Sequence, residues 1–282
     1  MAIDNNFFKT LVKTLKFIDK PARVACLGYP DLMCSEDLLE KEVGLDNLEL
    51  KFKVEYPDIH SKLRKKLIEE GTKNLYTTES FFKKFNLTMD VFDIFSHTGK
   101  EKILDLNEPL PLKYKNKYKG VVDVGTLEHC FNVGQAFKNM CDMLEVGGIV
   151  FTAAPSYKKN HGFWNFCSTA FTDGFLQNGF EIIDIVGIKP KELGFNKPNP
   201  EDRKVNYYYK DMRQEAALAE IDDNVIMCVA KKVKNINFKW PLQMKYAKNY
   251  NNQLYQTLKD KLKGKVYDRK KIKREEKARK SL

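Results

Sequence analysis

No run of about 18 apolar residues occurs in the 282-residue chain, so no membrane-crossing helix is expected. The first twenty residues, MAIDNNFFKTLVKTLKFIDK, are charged throughout and lack an apolar block ending in small residues, which excludes a secretory signal in this stretch. Cysteine is scarce. Cys26, Cys34, Cys130, Cys141, Cys167 and Cys228 form no C-x-x-C pair, and several lie in apolar runs where a thiol acts as a small hydrophobe. Reduced thiols in a cytoplasmic protein are expected, with no metal site of zinc-ligand spacing. Glycine is missing where a dinucleotide-binding loop needs it: none of the 15 glycines forms a G-x-G pattern. There is no internal repeat.

A polar chain with enough apolar content for one core is present: 43% hydrophobic and 31% charged residues. Net charge is +11. Residues 259–280 hold twelve Lys/Arg against four Asp/Glu, so eight of those eleven charges sit in the tail. Such a tail suits a solvated helix or a non-specific contact with nucleic acid or an anionic surface. Glu275 and Glu276 interrupt it, and it lacks the interleaved aromatics of single-strand binders.

Apolar periodicity sets out the elements. Phe7, Leu11, Leu15 and Ile18 have helical spacing. Val24–Leu27 is a buried strand stopped by Gly28 and Pro30, and a helix begins near Ser35. Residues 60–86 carry a helical pattern through Leu63, Leu67, Ile68 and Leu75. Strands follow at 89–95, 102–107, 120–129, 149–155, 181–188 and 224–233. Helices at 133–144, closed by Gly147-Gly148, and at 165–178, closed by Asn178-Gly179, lie between them. Strands alternating with helices predict an α/β fold with a Rossmann-like, mostly parallel, doubly wound sheet. The division expected is an N-terminal helix at 1–20, the Rossmann-like domain at 21–235, and a basic extension, helical or disordered, at 236–282. Residues 189–222 form a long polar insertion.

Ligands of such sheets bind beyond the carboxyl ends of the strands. There the sequence places Gly28 and Asp31, then Asp93, then Asp105 and Leu106, then Gly125, Thr126, Leu127, Glu128 and His129. Asp93 suits the two hydroxyls of a ribose, and Asp105 suits an adenine amino group with Leu106 against the ring. Either aspartate alone also suits a turn.

Residues 90–186 resemble the class I S-adenosylmethionine-dependent methyltransferases. The likeness lies in VFDIF, in ILDLNEPLP, and in GVVDVGTLEHCFNVGQAFKNMCDMLEVGGIVFTAAP, where Leu-Glu-His leads through a helix to a Gly-Gly turn. HGFWNFCSTAFTDGFLQNGFEI resembles the segment after strand five in small-molecule and sugar-modifying members. The resemblance implies S-adenosylmethionine as cofactor. It makes Asp93 the ribose acid and Asp105 and Leu106 the adenine contacts, and it lines the cofactor's open side with Gly125 to Glu128. Asp123 would orient a loop. The family's glycine-rich first loop is reduced here to Gly28 in LGYPDLMCS. Asp31 or Ser35 would then hold the methionine amino group, or cofactor binding has been lost.

His129 and His161 are the candidate bases for a hydroxyl acceptor; a helix cap and a lid loop are their structural alternatives. His60 and His97 are expected in solvent. Phe163, Trp164, Phe166 and Phe171 are expected as an acceptor wall or as core, and Tyr207 to Tyr209 as a lid or an exposed strand. Methyl transfer to a small-molecule or saccharide acceptor is the leading expectation. A catalytically inactive binding scaffold and a nucleic-acid methyltransferase are the alternatives. The last lacks the Asp/Asn-Pro-Pro-Tyr/Phe motif of amino-methylating enzymes, since Gly125-Thr-Leu-Glu stands in its place.

Overall fold

The computed structural model describes residues 2–53, 74–96, 99–158, 161–188, 204–206, 225–244 and 246. In chain order the elements are β1 (Ala2–Asp4), α1 (Asn5–Lys16), β2 (Ala22–Leu27), β3 (Asp31–Met33), α2 (Glu36–Val43), β4 (Leu50–Lys53), β5 (Asn74–Tyr76), α3 (Thr78–Lys83), β6 (Leu87–Asp93), β7 (Lys102–Ile103), β8 (Tyr118–Val124), α4 (Val133–Met143), β9 (Leu144–Pro155), α5 (Ser168–Gln177), β10 (Phe180–Ile188), β11 (Lys204–Asn206) and β12 (Val225–Lys232).

Eight strands form one sheet in the order β11-β10-β12-β9-β8-β2-β6-β7. Pairings from β9 through β8, β2 and β6 to β7 are parallel. β12 runs against both of its neighbours, so β10 points the same way as the parallel set. The chain leaves β2 toward β6 and β7 on one side, then returns to β8 on the other. The strand order therefore reverses between β2 and β8, where open α/β sheets leave a crevice.

Side-chain alternation gives the sheet two buried faces. Ala25 and Leu27 of β2, Val121 of β8, Val150 and Ala154 of β9, and Ile226 and Cys228 of β12 face one core with α4 and α5. Val24 and Cys26, Val122 and Val124, Phe151 and Ala153, and Met227 and Val229 face the other, packed against α1 and α3. Period-two alternation with apolar residues on both faces is the signature of a covered parallel sheet. Each large apolar side chain removed from water this way contributes about 1.5–3 kcal/mol. α1 joins this core through Phe7, Phe8, Leu11 and Leu15, at the spacing that suggested a helix. It starts where the Asp4 carboxylate accepts from the amides of Asn6 and Phe7.

Several sequence expectations are corrected. Leu75 lies in β5, not in a helix, while Leu63, Leu67 and Ile68 fall outside the described residues. β5 belongs to a second small sheet, β1-β3-β5-β4, whose strands are three or four residues long and too short to show a period. The strand read at 102–107 shrinks to Lys102–Ile103 at the sheet edge. Residues 127–129 form a single 3₁₀ turn instead of continuing β8. Gly147-Gly148 does not end α4. That helix stops at Met143, and Leu144 is already strand; a Cβ on Gly148 would stand 2.9 Å from Leu144 Cδ2 and 3.1 Å from the Tyr118 carbonyl oxygen.

One buried cation ties the end of α4 to β12. Lys232 Nζ donates to the carbonyls of Leu144 (2.7 Å) and Cys141 (3.0 Å) and to Asn116 Oδ1 (3.2 Å). The negative end of the helix dipole holds a charge that burial disfavours, and its pKa is lowered. Lys232→Ala should cost about 1–3 kcal/mol in urea denaturation, because it leaves helix-end carbonyls unsatisfied. Lys231→Ala, exposed next door, should change stability by less than about 0.5 kcal/mol.

Residues 238–244 run beside α5, held by paired bonds between Asn178 and the Lys239 backbone and between Gln177 and the Leu242 backbone. No helix among the described residues is long and apolar enough to cross a membrane.

Candidate functional site

At the reversal point the ends of β2 and β8 are stapled together. Thr126 Oγ1 donates to the Leu27 carbonyl at 2.6 Å. Thr126 is itself set by Asp123, fully buried in β8. Asp123 Oδ1 accepts from the Thr126 amide at 2.9 Å, and its Oδ2 accepts from Thr152 Oγ1 at 2.7 Å. These are the contacts of a loop-orienting acid. Burial raises its pKa from 3.8 to about 6, against the pull of its donors. The folded protein thus holds this proton more tightly than the unfolded chain. Its contribution to stability is full below pH 3.8 and is lost as pH rises through about 6. Asp123→Asn keeps an acceptor for Thr126 and offers a donor to Thr152. The mutant should lack this fall, so the stability difference between the two proteins should change by about 2 kcal/mol between pH 4 and pH 6.5, read from urea midpoints.

Above the staple opens a groove of about 530 Å³, a size that suits a small ligand. Asp93, at the end of β6, and Asp105, two residues past the end of β7, both line it, together with Gly28, Asp31, Leu106, Gly125 and Thr126. Asp93 Oδ1 accepts from the Ile94 and Phe95 amides. Asp105 Oδ1 accepts from the amide and side chain of Asn107. Neither Oδ2 has a hydrogen bond among the described residues. Each carboxylate is fixed by its own loop through one oxygen, which leaves the second for a ligand.

Two of the residues read as cofactor contacts stand elsewhere. Leu127 is fully buried in the core beneath the groove. Glu128 turns to a second cavity of about 480 Å³, lined also by His161, Lys158 and Met33. The two cavities share Asp31, Gly125 and His129. Ser35 is the N-cap of α2, and its amide donates to Asn5 Oδ1.

Lys51 was not legible as a site residue. The small sheet brings it into the groove from β4, where Nζ lies 2.6 Å from Asp31 Oδ1 and 4.3 Å from the centre of the Tyr29 ring. Nothing local in KFK marks it, because its position depends on pairing between distant short strands. The loop after β2 is held by α3: Tyr29 donates its hydroxyl to Glu79, and Thr78 donates its own to the Pro30 carbonyl. Gly28 has φ of 72°, and its amide donates to the Phe92 carbonyl at 2.7 Å.

The candidate bases come together. The His129 and His161 rings are 5.0 Å apart, and their Nε2 atoms lie 4.0 and 3.4 Å from Glu128 Oε1. Glu128 is nearly fully buried, and burial together with the Asp123 charge raises its pKa to about 8. Burial lowers the pKa of His129, which disfavours its charged form. The aromatic group divides. Phe166 and Phe171 stack in the core. Phe163 and Trp164 are exposed beside Phe131. His60, His97 and Tyr207 to Tyr209 lie outside the described residues, as does the basic tail.

No family model matches the sequence, and no curated protein matches it. Among solved structures, the Burkholderia thailandensis 1,6-didemethyltoxoflavin-N1-methyltransferase with bound S-adenosylhomocysteine is similar at 8% identity over 82% of this chain and 80% of that one, with a TM-score of 0.42. The O-methyltransferase of a trans-AT PKS multienzyme from Brevibacillus brevis, in complex with S-adenosyl-L-homocysteine, is similar at 13% identity over 89% and 82%, with a TM-score of 0.40. The cyclase SpnF is similar at 12% identity over 82% and 81%, with a TM-score of 0.41. Five parallel strands, the reversal between β2 and β8, and the antiparallel β12 set between β9 and β10 make this a Rossmann-like, mostly parallel α/β fold.

Proposed function

We propose that the protein transfers a methyl group from S-adenosylmethionine to a small-molecule or saccharide-type acceptor. The observation that carries this reading is the pair of carboxylates, Asp93 at the end of β6 and Asp105 just past β7, in one open groove. Asp93 would take the ribose hydroxyls. Asp105 would take the adenine amino group, with Leu106 against the ring. The methionine end carries an ammonium and a carboxylate, and Asp31 and Lys51 offer their opposites. This pair would stand in for the absent glycine loop.

Bound there, the cofactor supplies a methyl group on a positively charged sulfur. The chain's own work is positioning and proton handling. The second cavity would hold the acceptor, since it meets the groove at Gly125 and His129. A neutral His129 would accept a proton from an acceptor hydroxyl.

A non-catalytic binding module is the second reading. It is favoured by the first loop, where the Gly28 amide is already used by Phe92 and Pro30 has none to give. Calorimetric titration with S-adenosylmethionine and S-adenosylhomocysteine separates the two. Saturable micromolar binding is expected; no heat at millimolar ligand would leave the binding module. Transfer of an isotope-labelled methyl into small-molecule rather than nucleic-acid fractions of an extract would then place the acceptor class. The same assay after deletion of residues 259–282 tests the nucleic-acid alternative.

A further inference from the structure

The second cavity holds more than a general base. Glu128 is about 1% exposed, yet its Oε2 is buried with no hydrogen-bond partner. A buried carboxyl oxygen without a hydrogen-bond partner is costly in either protonation state, and folds rarely leave one without a use. Its Oε1 faces two imidazoles at 3.4 and 4.0 Å, and one ligand atom from each of the three residues lies within 4.8 Å of the others. An ion bound at about 2.0–2.2 Å sets neighbouring ligand atoms about 3 to 3.5 Å apart. Small side-chain rotations would bring this trio to that spacing.

The two contributing segments are 33 positions apart and are fastened to each other. The Phe163 amide donates to the Glu128 carbonyl at 2.7 Å. Trp164 Nε1 donates to the carbonyls of Cys130 and Phe131, both at 3.1 Å. His161 is therefore held against Glu128 by backbone bonds that need no ligand. That is the supporting frame a metal site requires.

We propose that Glu128, His129 and His161 bind one divalent first-row transition-metal ion, with its remaining coordination positions open to the cavity. Two imidazole nitrogens and one carboxylate favour zinc, cobalt, manganese or iron over magnesium or calcium, which prefer oxygen alone. Lys158, on the same cavity wall, would pair with an anionic ligand at an open position. The site contains no cysteine, so cysteine spacing could not reveal it. Metal binding stands on this geometry alone. Only its use, polarising an acceptor oxygen beside the methyl donor, rests on the methyl-transfer reading; with the ion bound, the His129 lone pair is a ligand, and acidification of an ion-bound acceptor hydroxyl, its proton leaving to solvent, would replace His129 as the base.

The full chain, stripped with a chelator, would be titrated calorimetrically with Zn²⁺, and with Co²⁺ while its visible absorption is followed. One ion per chain is expected. His161→Ala and, separately, His129→Ala should weaken binding by at least about 100-fold. Both histidines are at least a third exposed, so the thermal midpoint of the stripped chain should hold in both variants. His60→Ala and His97→Ala should bind as the parent does. Absence of saturable binding at millimolar Zn²⁺, or parental affinity in His161→Ala, would overturn the site and leave Glu128 and His161 as a hydrogen-bonded pair only. A cofactor titration of the same stripped protein keeps the two readings apart. Cofactor binding without metal binding sinks this inference alone, and metal binding without cofactor binding sinks methyl transfer alone.

Discussion

Asp93→Ala is expected to weaken S-adenosylhomocysteine binding about 10- to 100-fold, the loss of one or two charge-assisted hydrogen bonds to a ribose diol at about 1.5–3 kcal/mol. The side chain stands at the groove, and one of its oxygens is committed to the Ile94 and Phe95 amides. Asp93→Asn should therefore recover part of the affinity, since an amide oxygen can keep the loop bonds and lose only the charge. A comparator stands three residues earlier on the same strand. Asp90 accepts from Arg23, Lys102 and Tyr118, away from the groove. Burial works against its charge, but these three donors win and hold its pKa below the usual range. Asp90→Ala should lower the urea midpoint and leave ligand affinity within a factor of about three, as expected of sites that share no partner. Equal binding by the parent and Asp93→Ala in calorimetry would remove the adenosine assignment and its aspartate pair together.

The contrast between these two aspartates shows what a sequence discloses. β2, β6, β8, β9, β10 and β12 were legible because strands covered on their faces read as short apolar runs bounded by turn residues. Asp93 was legible because a parallel strand delivers the residue at its carboxyl end to the crevice, whereas Asp105 reaches the same groove from the loop two residues past the short edge strand β7. Lys51 and Asp31 were not legible as a pair. Their contact depends on β1, β3, β4 and β5, strands of three or four residues whose partners are set by tertiary pairing. Glu128 shows a subtler failure. It follows Leu127 and precedes His129, and chain order assigned Leu127 and Glu128 together to the cofactor's open side, with His129 a candidate base beside them. A single 3₁₀ turn instead sends Leu127 into the core, Glu128 into the second cavity and His129 to the border of both cavities. One turn of tight helix changes direction by about a third of a circle per residue, so neighbours in sequence part company in space.

Gly162→Ala, next to His161 of the second cavity, should be strongly destabilising for a single-methyl change. Its φ is 67°, and a Cβ there would stand 2.7 Å from the Glu128 carbonyl oxygen, the atom that accepts the Phe163 amide. Two costs combine: about 1–2 kcal/mol for an L side chain in the left-handed region, and about 1–3 kcal/mol for crowding a backbone oxygen that cannot retreat. Gly147→Ala separates them. Gly147 has φ of 89°, and a Cβ there meets nothing within 4 Å, so it carries the backbone cost alone. In urea denaturation both variants should be destabilised, with Gly162→Ala lower by the crowding difference. The loop should also loosen from Glu128. Trp164 would then lose its two carbonyl acceptors and its emission should shift to the red, while Trp240, already 63% exposed, should hardly contribute to the change. Because His161 travels with that loop, its hold on Glu128 should fail with the indole's, and Zn²⁺ affinity should drop with the same variant. Equal midpoints for the two glycine variants, with unshifted emission, would mean that the Gly162 backbone does not press on Glu128, and the fastening on which the second cavity depends would be lost.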